Sequence, residues 1–212
     1  MRVIAGSAGG VRLAVPKRGV RPTMDQVKAA IFSSLGEAII GARVLDLFAG
    51  SGALGIEALS RGAASAIFVE HDRESGETIE KNLAKTKLKG RVRRQNVFDF
   101  LRQTSDAEAS SVILSEAQRS RRIPPNHTKR GNRVGERFDI VFADPPYEKD
   151  HRGKSDAETL LNNERLPQLL EPNGIFVLEK RPSDTLTEMN IWRVIRQKTY
   201  GATQVLFLAA VY

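Results

Sequence analysis

An apolar run that ends in an acid and a glycine-rich turn, residues 44–57, constrains this chain more than any other stretch. Gly50, Gly52 and Gly55 match the pattern G-x-G-x-x-G, with a predicted strand before them and a predicted helix after them. In that context the glycines allow a tight turn and a close approach of the backbone to a nucleotide-like ligand. The stretch therefore predicts a strand-turn-helix unit that binds such a ligand, without saying which one.

Apolar runs and amphipathic segments alternate along most of the chain. Further strands are predicted at 66–70, 92–97, 138–144, 175–179, 191–198 and 203–212, and helices at 53–60, 73–88 and 157–170. An earlier helix is predicted to begin after Thr23 as its N-cap and to end at Gly36 or Gly41. This alternation predicts an α/β domain, in which helices cover both faces of a mostly parallel sheet, and the two closing strands predict an antiparallel edge.

Two segments stand apart from the alternation. Residues 1–24 contain two short apolar runs around a glycine-rich loop, which predicts an N-terminal β-hairpin extension of the main domain, 25–212. Residues 103–137 are rich in Ser, Arg, Asn, Pro and Gly and predict an inserted loop. Seven Lys and Arg residues lie between 119 and 137. An RNA-holding arm and a tolerated, solvated insertion are equally good interpretations of this segment.

The charge balance indicates a polyanionic partner. The chain carries 33 Lys and Arg against 25 Asp and Glu, a net charge of +8, and basic surfaces associate with nucleic acid by releasing its counterions. The absence of cysteine excludes disulfides and thiolate chemistry, and three histidines without regular spacing predict no metal site. Without a signal peptide or an apolar run of about 18 residues, we expect a cytoplasmic monomer with no membrane segment.

Acidic residues mark the ends of four predicted strands. They are Asp46, Glu70, Asp144 and Glu179. Ligands of such sheets bind beyond the carboxyl ends of the strands, and Glu70 lies 18 residues after Gly52, where a carboxylate suits both ribose hydroxyls. Asp46 would repel a pyrophosphate but would attract an ammonium group. S-adenosylmethionine, with its ammonium, sulfonium and ribose, fits these acids and the glycine turn together; the alternative is that Asp46 merely caps the turn.

The run Asp144-Pro-Pro-Tyr147 predicts where the acceptor binds. Two prolines stiffen the backbone, so that the Asp144 carboxylate and the Pro145 carbonyl converge as two hydrogen-bond acceptors. Their natural partner is an exocyclic NH2, whose lone pair turns towards a methyl donor when both hydrogens are held. Tyr147 offers a face on which a base can stack. An ordinary turn at the end of a strand is the alternative interpretation.

These motifs together resemble the bacterial 16S ribosomal RNA guanine-N2 methyltransferases, the RsmD family. The resemblance spans nearly the whole chain and is carried by residues 46–62, Glu70, Asn96, the run 144–147 and the Arg-Pro-Thr run 21–23. The Asp-Leu-Phe-Ala-Gly-Ser-Gly and Asp-Pro-Pro-Tyr motifs occur in many amino-methyltransferases, whereas the Arg-Pro-Thr run and the length indicate this family. The insertion 103–137 departs from the family pattern, which has a much shorter link there.

The resemblance implies a class I, Rossmann-like methyltransferase fold with a seven-stranded sheet, S-adenosylmethionine as donor, and a guanine N2 atom of 16S ribosomal RNA, free or in an assembling small subunit, as acceptor. The implied cofactor-binding residues are Asp46, Ala49, Gly50, Gly52, Glu70, Asn96 and Val97. The implied catalytic residues are Asp144, Pro145 and Tyr147, and the implied substrate-binding residues are Arg21, Thr23 and Pro146.

Two other functions remain open at this point. A DNA adenine-N6 or cytosine-N4 methyltransferase would use the same Asp-Pro-Pro-Tyr arrangement, although no separate target-recognition domain is visible in the sequence. A non-catalytic RNA-binding module with this fold is the second alternative, and the intact motifs at 46–52 and 144–147 argue against it.

Overall fold

A computed structural model describes residues 1–16, 25–103, 137–147, 153–184 and 190–211. The strands are β1 Arg43–Leu47, β2 Ser65–Glu70, β3 Arg91–Arg94, β4 Phe138–Ala143, β5 Leu170–Lys180, β6 Trp192–Tyr200 and β7 Thr203–Ala210. The helices are α1 Asp25–Leu35, α2 Ala53–Ser60, α3 Arg73–Thr86, α4 at 97–103 and α5 Asp156–Leu161, with short 3-10 helices at Gly36–Ile39 and Pro167–Leu169. No helix within these ranges has the length and apolar character that a membrane span needs.

The strands form one sheet of seven in the order β3-β2-β1-β4-β5-β7-β6. The first five strands in this order are parallel, and β7 runs antiparallel to both β5 and β6. The predicted seven-stranded, mostly parallel sheet of a class I methyltransferase is therefore confirmed, including its antiparallel edge.

The register of the sheet brings the predicted acids into one row. Leu47 of β1 pairs with Val69 on one side and with Ala143 on the other. The next residue along each outer strand is an acid, Glu70 after Val69 and Asp144 after Ala143. Because the chain leaves β1 towards β2 and returns on the far side as β4, the switch point of the topology lies between β1 and β4. The two acids therefore flank the place where ligands of such sheets bind.

Buried apolar residues form one cluster on each face of the sheet. One cluster holds α1, α2, α3 and the N-terminal hairpin, and its members include Phe32, whose ring centroid lies 5.6 Å from that of Phe142 in β4. The other holds α4, α5 and Trp192. The Trp192 side chain is buried and its Nε1 donates to the Leu161 carbonyl at 3.0 Å, so this residue belongs to the core.

The N-terminal hairpin is held by few backbone hydrogen bonds of its own. Val3 N donates to Val11 O and Gly10 N to Val3 O, both at 2.9 Å, and a single β-bridge joins Arg2 to Arg12. The hairpin packs closely against α2. Gly6 has a φ of +84°, and a Cβ added to it would lie 1.8 Å from the Ser60 carbonyl oxygen. Only glycine fits this approach.

Two predicted boundaries were wrong. The third strand ends at Arg94 rather than at 97, because the Asn96 side chain accepts from Phe98 N at 2.8 Å and so begins α4. The helix predicted at 157–170 ends at Leu161, and β5 already begins at Leu170. The Asn163 side chain accepts from Arg165 N at 3.0 Å and from Leu166 N at 3.1 Å, and so turns the chain between the end of α5 and the start of β5.

Candidate active site

The glycine turn takes the backbone conformation that its sequence predicts. Gly50 and Gly52 have φ values of +53° and +77°, in the left-handed region where glycine carries no steric cost. Gly52 N closes the turn on the Ala49 carbonyl at 2.7 Å. Gly55 lets α2 pack tightly on β2, since an added Cβ would lie 2.3 Å from the Phe68 ring. The turn therefore brings the N-terminus of α2 to the carboxyl edge of β1.

Asp46 lies buried beneath this turn. Its Oδ2 accepts from Gly55 N at 2.8 Å, so the interpretation that Asp46 supports the turn is also correct in part. Burial, followed by the negative charges of Asp144 and Glu70, raises the pKa of Asp46 to about 8. A cation placed next to Asp46 would favour its ionised form, which is the chemistry expected of the residue that faces an ammonium group.

Glu70 connects the end of β2 to the glycine turn. Its Oε2 accepts from Gly50 N and its Oε1 from Asp72 N, both at 2.8 Å, and His71 Nδ1 lies 3.2 Å from Oε1. A carboxylate has about four acceptor positions, so these bonds leave room for the ribose hydroxyls that the sequence assigns to it. Glu70 thus holds the glycine turn in place and also lies at the carboxyl edge of the sheet.

The residues expected at the adenine follow β3. Asn96 is exposed and caps α4, whereas Val97 in the first turn of that helix is 3% exposed. Both follow Arg94, which pairs with Glu70 in the sheet. Ala49 in the glycine turn is buried. The structure therefore brings these predicted residues to the same edge of the sheet as Glu70.

The run 144–147 lies on the other side of the switch point. Asp144 and Tyr147 are half-buried, Pro145 is buried and Pro146 is exposed. The Tyr147 hydroxyl lies 3.3 Å from Thr203 Oγ1 at the start of β7. Since Asp144 contributes to the raised pKa of Asp46, the predicted donor and acceptor halves share one site. The expected substrate residues Arg21 and Thr23 lie outside the described residues, as do 104–136 of the insertion.

The sequence interpretation missed two residues at this edge. Phe48 lies between Glu70 and Asp144 in the row of strand ends and has a φ of +56°, a conformation that costs a non-glycine residue about 1 kcal/mol or more. Its ring contacts that of Phe98 edge-on, at 6.1 Å between centroids. A positive φ leaves no trace in the residue type, so no sequence pattern would have revealed it.

Asn82 of α3 is the second. Its Oδ1 accepts from Ala14 N at 2.8 Å, while its Nδ2 donates to the carbonyls of Ala14 and Ser51 at 3.0 and 2.9 Å. The side chain thus joins the outgoing arm of the hairpin to the glycine turn. Ala14 is thereby held next to the glycine turn, seven positions before the Arg-Pro-Thr run begins at Arg21.

Comparisons with known proteins cover nearly the whole chain. A family model described as Conserved hypothetical protein 95 matches residues 1–117 and 115–209. The chain is 34% identical over 210 residues to the Ribosomal RNA small subunit methyltransferase D of Escherichia coli strain K12, covering 95% of this chain and 85% of that protein.

Solved structures have the same fold. A hypothetical protein of Thermus thermophilus is 29% identical, with a TM-score of 0.72 and coverage of 100% of this chain and 99% of that one. A T. thermophilus 16S rRNA N2 G1207 methyltransferase, solved with AdoMet and guanosine, is 22% identical, with a TM-score of 0.63 and coverage of 92% of this chain and 44% of that one. At that identity the likeness shows the fold alone.

Proposed function

Because the chain belongs to the family of the Ribosomal RNA small subunit methyltransferase D, we propose that it methylates the N2 amino group of a guanine in 16S ribosomal RNA, with S-adenosylmethionine as donor. Membership of this family supports the coarser part of the proposal, the methylation of small-subunit ribosomal RNA by S-adenosylmethionine. The guanine and its N2 atom are the finer part of the proposal. The observation that carries it is the position of Asp46 and Asp144 on either side of the switch point, close enough for the charge of one to raise the pKa of the other.

The residues of the donor half fit S-adenosylmethionine. Asp46 is a buried carboxylate with no cation among the causes of its pKa, and so suits the ammonium group. Glu70 is buried with acceptor capacity left for a diol, and the turn at Gly50 and Gly52 carries no side chain. The bound molecule supplies an electrophilic methyl group. The chain's own residues orient it and hold its polar groups away from water.

The residues of the acceptor half fit an exocyclic amino group on a base. The Asp144 carboxylate and the Pro145 carbonyl accept its two hydrogens, and Tyr147 stacks on the base. Asp144 is also the group placed to receive the proton that the nitrogen loses on methylation. Guanine N2 is the acceptor implied by the resemblance that residues 21–23 and 144–147 carry, and the fold is one that a 16S rRNA N2 G1207 methyltransferase, solved with guanosine, also has. The net charge of +8 supports a nucleic-acid substrate.

Methyl transfer to ribosomal RNA tests the proposal directly. The protein is incubated with labelled S-adenosylmethionine and with either 16S RNA or small-subunit particles from cells that lack it, and the modified base is mapped. We expect one N2-methylguanine. Labelling of an adenine N6 or cytosine N4 in DNA would support the DNA methyltransferase alternative, and binding of RNA with no incorporation in any form would support the non-catalytic module.

Binding of S-adenosylmethionine is expected to release a proton near pH 7. The pKa of Asp46 is raised to about 8 in the protein alone, so its carboxyl is mostly protonated at pH 7, and an ammonium beside it favours the ionised form. Calorimetry in buffers of different ionisation enthalpy measures the release. It should approach one proton at pH 7 and decline above pH 8, and Asp46→Asn should remove it. Buffer-independent heats in the wild type would contradict the assignment.

The raised pKa of Asp46 also makes the free energy of unfolding depend on pH. The pKa of Asp46 is raised above its ordinary value of 3.8. Between about pH 4 and pH 8 its carboxyl is therefore protonated in the folded protein and ionised in the unfolded chain. This contribution to stability is present below the unfolded pKa and declines as pH rises towards 8.

Glu70→Ala is expected to weaken S-adenosylmethionine binding by about 10- to 100-fold, since it removes charged hydrogen bonds worth about 1.5 to 3 kcal/mol each. Both the ribose acceptor and the bond to Gly50 N are lost. Calorimetry gives the dissociation constant. Glu77→Ala is the matched control, because Glu77 lies on α3 and pairs with Arg73 at the surface. An affinity equal to that of the control would exclude Glu70 from the cofactor site.

A further inference from the structure

A buried lysine holds the turn that follows β5 through hydrogen bonds to its backbone carbonyls. Lys180, the last residue of β5, is 3% exposed. Its Nζ donates to the carbonyls of Arg181 and Asp184, both at 2.6 Å. Asp184 N donates to the Arg181 carbonyl at 3.1 Å, and Arg181 N donates to Asp184 Oδ2 at 3.2 Å. These four hydrogen bonds fix the backbone of Arg181 at the carboxyl edge of the sheet.

The Arg181 side chain reaches the acceptor half of the site. Its Cζ lies 4.7 Å from the centroid of the Tyr147 ring, which is a cation–π distance. Ala143 at the end of β4 pairs with Leu178 in β5, so the segments that follow these two parallel strands leave the sheet side by side. The contact therefore follows from the register of the sheet as well as from the two side chains.

The charge of Arg181 has no acidic partner in the part of the chain that the structure describes. No carboxylate there lies within ion-pair distance of its guanidinium, and the residue is exposed. Arg43, at the opposite edge of the sheet, shows the contrast: its guanidinium is held by Asp139 and Glu171 at 3.1 and 2.6 Å. An exposed guanidinium that lies on the Tyr147 ring is suited to an oxyanion, such as a phosphate, that approaches from solvent.

We propose that Arg181 is a positioning residue for the RNA, whose guanidinium binds a phosphate next to the target nucleotide while its face keeps the Tyr147 ring in place for the base. Guanidinium both stacks on aromatic rings and matches phosphate oxygens in a bidentate manner. The proposal rests on the proposed function, because it needs a nucleic-acid substrate whose base reaches Tyr147. It adds a residue beyond the motif 144–147 and a role for the turn at 181–184.

The test compares three variants in the full-length protein. Arg181→Ala removes both the charge and the stacking, and Arg181→Lys keeps the charge while weakening the planar contacts. The matched control is Arg193→Ala. Arg193 is exposed and pairs with Ala209, near the end of β7 that lies away from Gln204 and Lys180, so it removes an equal charge far from the site.

RNA affinity across a salt series and single-turnover methyl transfer are both measured. For Arg181→Ala we expect the plot of log affinity against log salt to become less steep by about 1, which corresponds to the loss of one phosphate contact. We also expect the transfer rate to fall about tenfold. Arg181→Lys should keep the slope and lose rate, and Arg193→Ala should keep the transfer rate. Affinity for S-adenosylmethionine should be unchanged in all three.

The outcomes separate this proposal from the function on which it rests. If Arg181→Ala matches Arg193→Ala in both slope and rate, Arg181 has no role in holding RNA and the proposal is wrong. If the wild type binds ribosomal RNA but transfers no methyl group in any form, the proposed function fails, while the salt slope of Arg181→Ala still decides whether a phosphate contact exists. A loss of rate with an unchanged slope in Arg181→Ala would overturn the phosphate contact.

Discussion

Replacing Asp144 with alanine is expected to abolish methyl transfer while leaving S-adenosylmethionine bound. The carboxylate supplies one of the two acceptors for the amino group and the base for its proton, and misplacing a reacting group by about 1 Å already costs about 100-fold. We therefore expect the single-turnover rate to fall by at least about 100-fold. Labelled transfer to the RNA substrate measures the rate, and calorimetry with S-adenosylmethionine measures the cofactor affinity.

Two further variants make this prediction specific. Asp144→Asn keeps the shape of the side chain and one acceptor but loses the base, so it should remain strongly impaired. Asp139→Asn is the matched control: Asp139 lies near the start of β4, the strand that Asp144 follows, and pairs with Arg43. Normal transfer in Asp144→Ala, or an equal loss in Asp139→Asn, would remove Asp144 from the chemistry.

The largest expected loss of stability follows from breaking the buried pair of Lys28 and Glu57. Both side chains are fully buried, with Nζ 3.3 Å from Oε2. Glu57 also accepts from Ile4 N and Ala5 N at 2.7 and 3.0 Å, and Lys28 donates to the Arg2 carbonyl. Glu57→Ala leaves a buried ammonium and two amides without this acceptor. Removing one partner of a buried pair costs about 3 to 5 kcal/mol.

Thermal unfolding measures this effect. For a domain of this size a loss of about 3 to 5 kcal/mol lowers the melting temperature by roughly 6 to 20 °C. Arg2→Ala is the control from the same region, since Arg2 and Asp25 form an exposed pair at 3.8 Å whose loss costs about 1 kcal/mol or less. If Glu57→Ala melts with the control, the buried pair does not hold the hairpin to the domain.

The sequence was most informative where the site residues follow one another along the chain. The turn at 46–52 and the run 144–147 are each continuous, and their place at strand ends follows from the alternation of strands and helices. The parallel register then brings Glu70 and Asp144 to one edge without any side-chain detail. The fold class and the row of acids could therefore be predicted from the residues alone.

Contacts between distant residues could not be predicted in this way. Ala14 meets Asn82 across 68 positions and Ile4 meets Glu57 across 53, and neither asparagine nor glutamate in a helix indicates which backbone it will bind. Arg181 follows a strand as many surface arginines do, and only its distance to Tyr147 distinguishes it. The break after Leu161 was missed because side-chain turns at Asn163 override a continuous helical pattern.

The docking of the hairpin has a consequence for synthesis of the chain. The residues that hold the first sixteen, among them Glu57, Ser60 and Asn82, are translated long after them. Domains generally fold as units, and within this one residues 1–16 lack their partners on α2 and α3 until those helices have formed. Residues 1–16 therefore dock only after α2 and α3 have formed, and their docking covers the surface beside the glycine turn.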